Sequence, residues 1–256
     1  NELVTQDGLF HSMDHHGSYS GKDKVAVLDA INTSIEKSHQ HLTKSKFVFI
    51  SFGSAKVYQF KKTGAIAGNC HKIPQDAFES FRITLNECES ALEKISRSIK
   101  QLSTSAHIIW TVSPVRHLRD GIEENLLSKS MLLLAIDQHL KNQKHDGYFP
   151  AYEIMMDQLR DYRFYARDLV HPSSLAIDII WDIFAGTHLE SHDKETHEQI
   201  EKIHRALEHR FIQDDREAIK SFAEKQLKNI EHISSLYPDM NWKEERQYFF
   251  QLTEPD

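Results

Sequence analysis

Tyr148 to Ser174, YFPAYEIMMDQLRDYRFYARDLVHPSS, is the stretch on which the reading of this chain turns. It opens on a short β-type run, Tyr148 to Tyr152, and passes through a loop. The loop ends at Asp168-Leu169-Val170-His171-Pro172, just before an amphipathic segment, Leu175 to Phe184. Strand, loop and helix in that order make one unit of an α/β fold. An Asp three residues before a His also supplies two thirds of a hydrolase triad. A buried carboxylate fixes the imidazole tautomer and raises the basicity of its other nitrogen, which takes a proton from a serine. The spacing alone is weak: with 17 His in the chain, an Asp-x-x-His arises by chance about once. The plainer reading is a His beside a helix N-terminus.

Upstream, Lys46 to Phe52 (KFVFISF) and Ala106 to Val112 (AHIIWTV) are short apolar runs that read as buried strands. Lys56 to Phe60 runs to the turn signal Thr63-Gly64, with Ala65 to Gly68 as the return arm of a hairpin. Helices are expected over Lys22 to Lys44, Gln75 to Leu102, Glu123 to Lys141 and Ser173 to Phe184. In the second of these, Phe81, Leu85, Cys88, Leu92, Ile95, Ile99 and Leu102 make one apolar stripe, which puts Cys88 in the core. Strand and helix thus alternate from Lys46 to Phe184, the pattern of a parallel sheet with helices on both faces. Right-handed crossovers bring the strand C-terminal ends to one edge, where such sheets bind ligands. The loops that leave this edge carry Gly53 and Ser54, then Arg116 and His117, then Asp168 and His171.

The chain has 256 residues, 39% hydrophobic and 27% charged, with a formal net charge of −7. These are values of an ordinary globular protein, and the acidic balance argues against nucleic acid as the main partner. No apolar run is long enough to span a bilayer. Two cysteines, Cys70 and Cys88, are too few for a disulfide framework, so a cytoplasmic location is expected. Residues 1–20 read as a loop. From Glu190 onward two charged amphipathic helices follow, His192 to Phe211 and Asp215 to Ser235. Glu198–Lys202, Glu201–Arg205 and Glu224–Lys228 are spaced to pair along them. They read as a helical hairpin packed on the domain or on a second copy, a route to a homodimer. The expected division is an α/β domain over 1–188 and a helical extension over 189–256.

Six blocks in order carry a resemblance: Gly8 to Ser20 (GLFHSMDHHGSYS), Phe52 to Tyr58 (FGSAKVY), Gly68 to Lys72 (GNCHK), Thr111 to Gly121 (TVSPVRHLRDG), Glu124 to Ile136 (ENLLSKSMLLLAI), and the stretch from Tyr148. Together they resemble the GSCFA family, a bacterial group related to the SGNH hydrolases. The resemblance covers residues 8 to about 185 and not the tail. It implies a flavodoxin-like three-layer α/β/α fold with a parallel sheet. It also implies a serine nucleophile in a Gly-Ser-Cys-Phe-Ala segment. That text is absent here and would precede Asn1, so this chain by itself is expected to be inactive. Asp168 and His171 match the carboxylate and base of the superfamily's last block. The superfamily's Gly-x-Asn-Asp text is replaced by Gly53-Ser54-Ala55. The Gly53 N–H and the Asn69 amide are then the candidate oxyanion donors.

The remaining candidates divide between chemistry and structure. Arg116 and His117 either line the pocket and bind a polar or anionic part of the substrate, or form a surface turn. Ser51 and Ser54 are the in-chain serines near the edge. Neither lies in Gly-x-Ser-x-Gly text, and Ser51 reads as buried. Asp14-His15-His16 with His11 lacks standard zinc spacing and reads as a loop over the site, so no metal and no cofactor are expected. The expected activity is hydrolysis of an acyl ester, on a small molecule, carbohydrate or lipid, through an acyl-enzyme. An O-acyltransferase on the same site and a non-catalytic binding or assembly module are the alternatives.

Overall fold

The computed structural model describes residues 3–143, 145–211 and 215–254. The chain divides into two compact units, Asn1–Ile180 and Trp181–Asp256. The first unit mixes strands and helices and contains a parallel sheet, and the described elements of the second are helices.

The sheet contains β3 (Phe47–Phe52), β7 (His107–Val112) and β8 (Gly147–Phe149), in that spatial order. Parallel pairing runs from Phe47↔His107 to Phe52↔Val112, and from Ile109↔Gly147 to Thr111↔Phe149. Val48, Ile50 and Phe52 share one face with Ile108, Trp110 and Val112, as a period of two requires. Cys88, Leu92 and Ile99 of α2 (Leu85–Leu102) and Leu132, Ala135 and Ile136 of α3 (Ile122–Leu140) pack over that face. Trp110 is fully buried at its centre, stacked 5.8 Å from Phe52 and edge-on to His139 at 5.4 Å. On the other face of β3, Phe47 and Phe49 are 58% and 57% exposed. Ser51, expected to be buried, lies on that same open face and is exposed. At the sheet's N-terminal end, the buried Asp146 carboxylate accepts from Lys100 Nζ at 2.7 Å and from the Ile108 N–H at 3.1 Å, fixing the end of α2 against β7.

Two departures from the sequence reading concern local pairing. Residues 1–20 are not all loop: β1 (Leu3–Gln6) and β2 (Leu9–Ser12) form an antiparallel hairpin. It leads into α1 (Lys24–Leu42), where Val27 and Ile31 are buried and Ile35 is half exposed. The helix expected from Gln75 starts ten residues later. Residues 78–82 are instead β6 (Phe78–Arg82), paired antiparallel with β4 (Lys56–Phe60), whose other neighbour is β5 (Ala65–Ala67). The pair Phe60↔Phe78 buries both rings 5.4 Å apart. Thr84 then starts α2 with a capping box: its Oγ accepts from the Glu87 N–H, and the Glu87 carboxylate accepts from the Thr84 N–H at 2.7 Å. The β4–β5 hairpin turns where expected, with Gly64 at φ +71°, a conformation open to glycine.

The third strand is shorter than its sequence suggests. After Phe149 the chain passes through Pro150 into α4 (Ala151–Glu153) and a five-residue π turn, Ile154–Gln158. α5 (Ser174–His188) follows the Asp168–His171 loop, and the division between the units falls inside it.

The second unit holds α6 (Ser191–Leu207), α7 (Arg216–Leu236) and α8 (Lys243–Gln251). α8 adds a third helix to the expected hairpin, and Trp242 and Phe249 complete a core with Ile203, Ile230 and Ile233. Among the described residues the expected Glu–Lys and Glu–Arg pairs do not form; Arg205 Nε donates to the Glu201 carbonyl instead, at 3.4 Å.

Candidate active site

Because β3, β7 and β8 are parallel, Gly53, Ser113 and Pro150 leave the sheet on one edge. The loops that begin there are held by three side chains of α3. The Asn125 side-chain carbonyl accepts from the His117 N–H at 2.8 Å. Ser128 Oγ accepts from the Ala55 N–H at 2.6 Å and meets Ser54 Oγ at 3.0 Å. Lys129 Nζ donates to the Ser113 carbonyl at 2.6 Å and lies 5.9 Å from the Tyr152 ring centroid. All three are buried, at one-helical-turn spacing, while Ile122, Leu126 and Leu127 of the same helix are exposed. α3 therefore turns a polar face inward at this end. Burial lowers the Lys129 ammonium to about 8, and among the described residues no carboxylate within ion-pair distance offsets its desolvation.

Gly53 and His117 are packed together. A Cβ on Gly53 would lie 3.0 Å from His117 Nε2, so the glycine permits the close approach. Burial, reinforced by the Lys129 charge and opposed by Asp120, lowers the His117 imidazole below its ordinary value. The Ser54 hydroxyl also accepts from the Lys56 N–H at 3.0 Å, which makes it an anchor of its own loop.

Arg116 points to the other side. Its Nη2 donates to Met156 Sδ at 3.2 Å and to the Tyr165 hydroxyl at 3.4 Å, with the guanidinium 5.5 Å from the Tyr165 ring centroid. Arg116 and Leu169 line one cavity of about 330 Å³, so the loops after β7 and before α5 are brought together.

The Asp168–His171 segment is a tight local structure. Asp168 Oδ1 accepts from the Val170 N–H at 2.9 Å and the His171 N–H at 3.0 Å, while Oδ2 accepts from His171 Nδ1 at 2.7 Å. Leu169 adopts φ +60°, an uncommon conformation for a branched residue, and the turn is closed by the Ala166 N–H donating to the His171 carbonyl at 2.8 Å. Hydrogen bonds from the His171 N–H, the Val170 N–H and the imidazole, in that order, hold the Asp168 carboxyl at about 2. The pair is not buried as the sequence reading expected: the side chains are 61% and 51% exposed for His171 and Asp168. An ionised Asp168 on Nδ1 fixes the tautomer whose Nε2 is a free acceptor, and Nε2 has no partner among the described residues.

Asn69 stands apart from these groups. Its N–H donates to the Met13 carbonyl, its side-chain oxygen accepts from the His71 N–H at 2.9 Å, and no hydrogen bond joins it to another candidate. Burial raises the adjoining Cys70 thiol, and the Arg119 charge opposes this in part. The His11 and His71 rings lie 4.7 Å apart, tilted by 32°. Among the described residues no group of three or more His, Cys, Asp or Glu is arranged to hold a metal ion.

Asn125, Ser128 and Lys129 did not emerge from the sequence as site residues. Their signal was three polar residues on one face of a helix rich in Leu, the arrangement that inverts an amphipathic pattern.

Comparison with protein families gives two matches. The model described as the GSCFA family matches residues 1–184, and the model described as the GSCFA domain protein, C-terminal domain, matches residues 200–254. The second falls on the tail that the sequence resemblance left uncovered. No curated protein matches the chain.

Proposed function

The chain belongs to the GSCFA family, and on that premise we propose that the intact protein is a serine hydrolase of SGNH type that cleaves acyl esters. The flavodoxin-like three-layer arrangement is part of the same reading. The observation that carries it is the Asp168–His171 pair: an imidazole held through Nδ1 at 2.7 Å, with its Nε2 unengaged, on a loop that shares a cavity with the loop after β7.

The nucleophile is the serine of a Gly-Ser-Cys-Phe-Ala segment, text that residues 1–256 do not contain. His171 Nε2 takes the serine proton as the oxygen attacks the ester carbonyl, and returns it to the departing alcohol. A water attacks the acyl-enzyme by the same route, and the carboxylic acid leaves. The Gly53 N–H is the oxyanion donor this reading favours, since it stands at the sheet edge. Asp168 stays ionised throughout and stabilises the imidazolium.

The test is fluorophosphonate labelling of the protein with its Gly-Ser-Cys-Phe-Ala segment, the labelled peptide being mapped by mass spectrometry. Labelling of that serine, lost in His171→Ala, is the expected result. Absence of labelling in a folded protein, or labelling that survives His171→Ala, counts against the reading.

A further inference from the structure

The cavity beside the Asp168–His171 loop carries information about what is bound there. Its volume, about 330 Å³, lies at the lower end of small-molecule sites. Two arginines line it, Arg116 from the loop after β7 and Arg160 from just past the π turn. Among the described residues neither has a carboxylate within ion-pair distance. Arg116 is half-buried, and what orients it is neutral: the Met156 sulfur, the Tyr165 hydroxyl and the Tyr165 ring. These contacts aim the guanidinium without cancelling its charge.

The cavity has one acid in its lining, Asp161. Its Oδ1 accepts from the Arg163 N–H at 2.9 Å, capping the short 3-10 turn Tyr162–Phe164. Asp168, adjacent through Leu169, has both oxygens engaged by its own loop. Two guanidinium groups thus face one capping carboxylate. Guanidinium is the side chain whose fork of N–H donors matches a carboxylate or phosphate in two parallel hydrogen bonds. Tyr162 lies at the same rim and is 80% exposed, a flat apolar face with a polar tip.

We propose that this cavity binds an anionic group, carboxylate or phosphate, on the alcohol part of the ester, with the ring that bears it against Tyr162. The substrate class is then an O-acylated acidic sugar, a sugar acid or a sugar phosphate, rather than a neutral lipid ester. The word substrate here rests on the hydrolase reading; the anion site does not.

The test compares methyl glucuronide, glucose 6-phosphate and methyl glucoside as ligands of the full protein, by calorimetry at low salt. At least one charged ligand is expected to bind about tenfold or more tighter than the neutral glycoside. Preference for the glucuronide identifies a carboxylate site, and preference for the phosphate a phosphate site. Arg160→Met, at an exposed position without an ion-pair partner, should reduce the preference, and Arg116→Met should abolish it. Arg116→Lys should retain part of it, as loss of folding would not. Equal binding of all three ligands, or a preference unchanged in Arg116→Met and Arg160→Met, overturns the proposal. Acetyl esters of the same compounds are assayed in parallel. A charged-ligand preference without acetyl release or fluorophosphonate labelling keeps the anion site and removes the hydrolase.

Discussion

Lys129, 1% exposed on α3, donates to the carbonyl of Ser113 at 2.6 Å, one residue beyond the end of β7. A buried ammonium without a carboxylate partner is costly, and this one is retained at the edge where the site forms. Its pKa falls from 10.5 to about 8 through burial. Between these two values the unfolded chain holds the proton that the folded chain has lost, so stability rises with pH across that window. The full gain is about 3 kcal/mol at 1.36 kcal/mol per unit. Urea denaturation of wild type and Lys129→Met at a series of pH values from about 7.5 to about 10.5 should show this rise as the difference between the two. Burial raises the Cys70, Cys88, Tyr148 and Tyr152 groups, and these give both proteins the opposite slope.

Ser128→Ala should leave the Ala55 N–H, buried beneath α3, without its acceptor. The expected loss is about 1–3 kcal/mol, read as a lower urea midpoint with an unchanged denaturant slope. No loss would mean that water or Ser54 takes over the bond.

Asp168→Asn separates the two tasks of this side chain. The Asn oxygen still accepts from the Val170 and His171 N–H groups, so the turn should persist. Its NH2 cannot accept from His171 Nδ1, and the imidazole loses its tautomer. On the hydrolase reading, turnover and fluorophosphonate labelling should fall by roughly 10³–10⁴-fold with little change in melting temperature. A melting temperature that falls as steeply as activity would assign Asp168 to the fold alone.

The Asp168 carboxyl, held at about 2, should show no titration through the ordinary carboxylate range. Its folded value lies below the unfolded one, so its contribution to stability is present above about pH 4 and is lost as pH falls through 2. Carbon-13 chemical shifts of the carboxyl across pH 2–5 check this directly. A midpoint near 4 would mean that the turn is open in solution.

Thr84→Ala removes one side of the capping box that begins α2. The expected cost is about 1 kcal/mol. It should appear in urea unfolding without any change in ligand binding, since α2 packs on the sheet face and not at the edge.

What could be read from the sequence was whatever is decided locally. KFVFISF and AHIIWTV are strands because apolar and β-branched runs of that length have few other uses. Asp168 and His171 were legible as a pair because their contact closes within one turn. β6 was misread because Phe81 and Leu85 extend the helical spacing of α2 toward its N-terminal side, while Phe78 and Phe81, three residues apart, show no strand alternation. Pairing with β4, 18 residues away at Phe60↔Phe78, decides between the two, and no local pattern contains it. Thr84-x-x-Glu87 did mark the true helix start. The inward polar face of α3 was hidden for a related reason. Its leucines lie on both sides, Leu132 buried and Leu126, Leu127 and Leu134 exposed, and only the loops after β3 and β7 show which side faces them.

The π turn at Ile154–Gln158 has a consequence for how this site can change. Its closing bond, from the Leu159 N–H to the Ile154 carbonyl at 2.9 Å, spans five residues where an α-helix spans four. The segment therefore accommodates one residue more than an α-helical turn, and Met156, which touches Arg116, lies on it. Removing a single residue there would let the turn relax to α-helix and rotate everything after it by about 100° per residue. Arg160 and Asp161 would leave the cavity together while Arg116 stayed. Ligand preference in this protein is thus open to a change of register by one residue, a coarser and faster route than substitution of the lining residues one at a time.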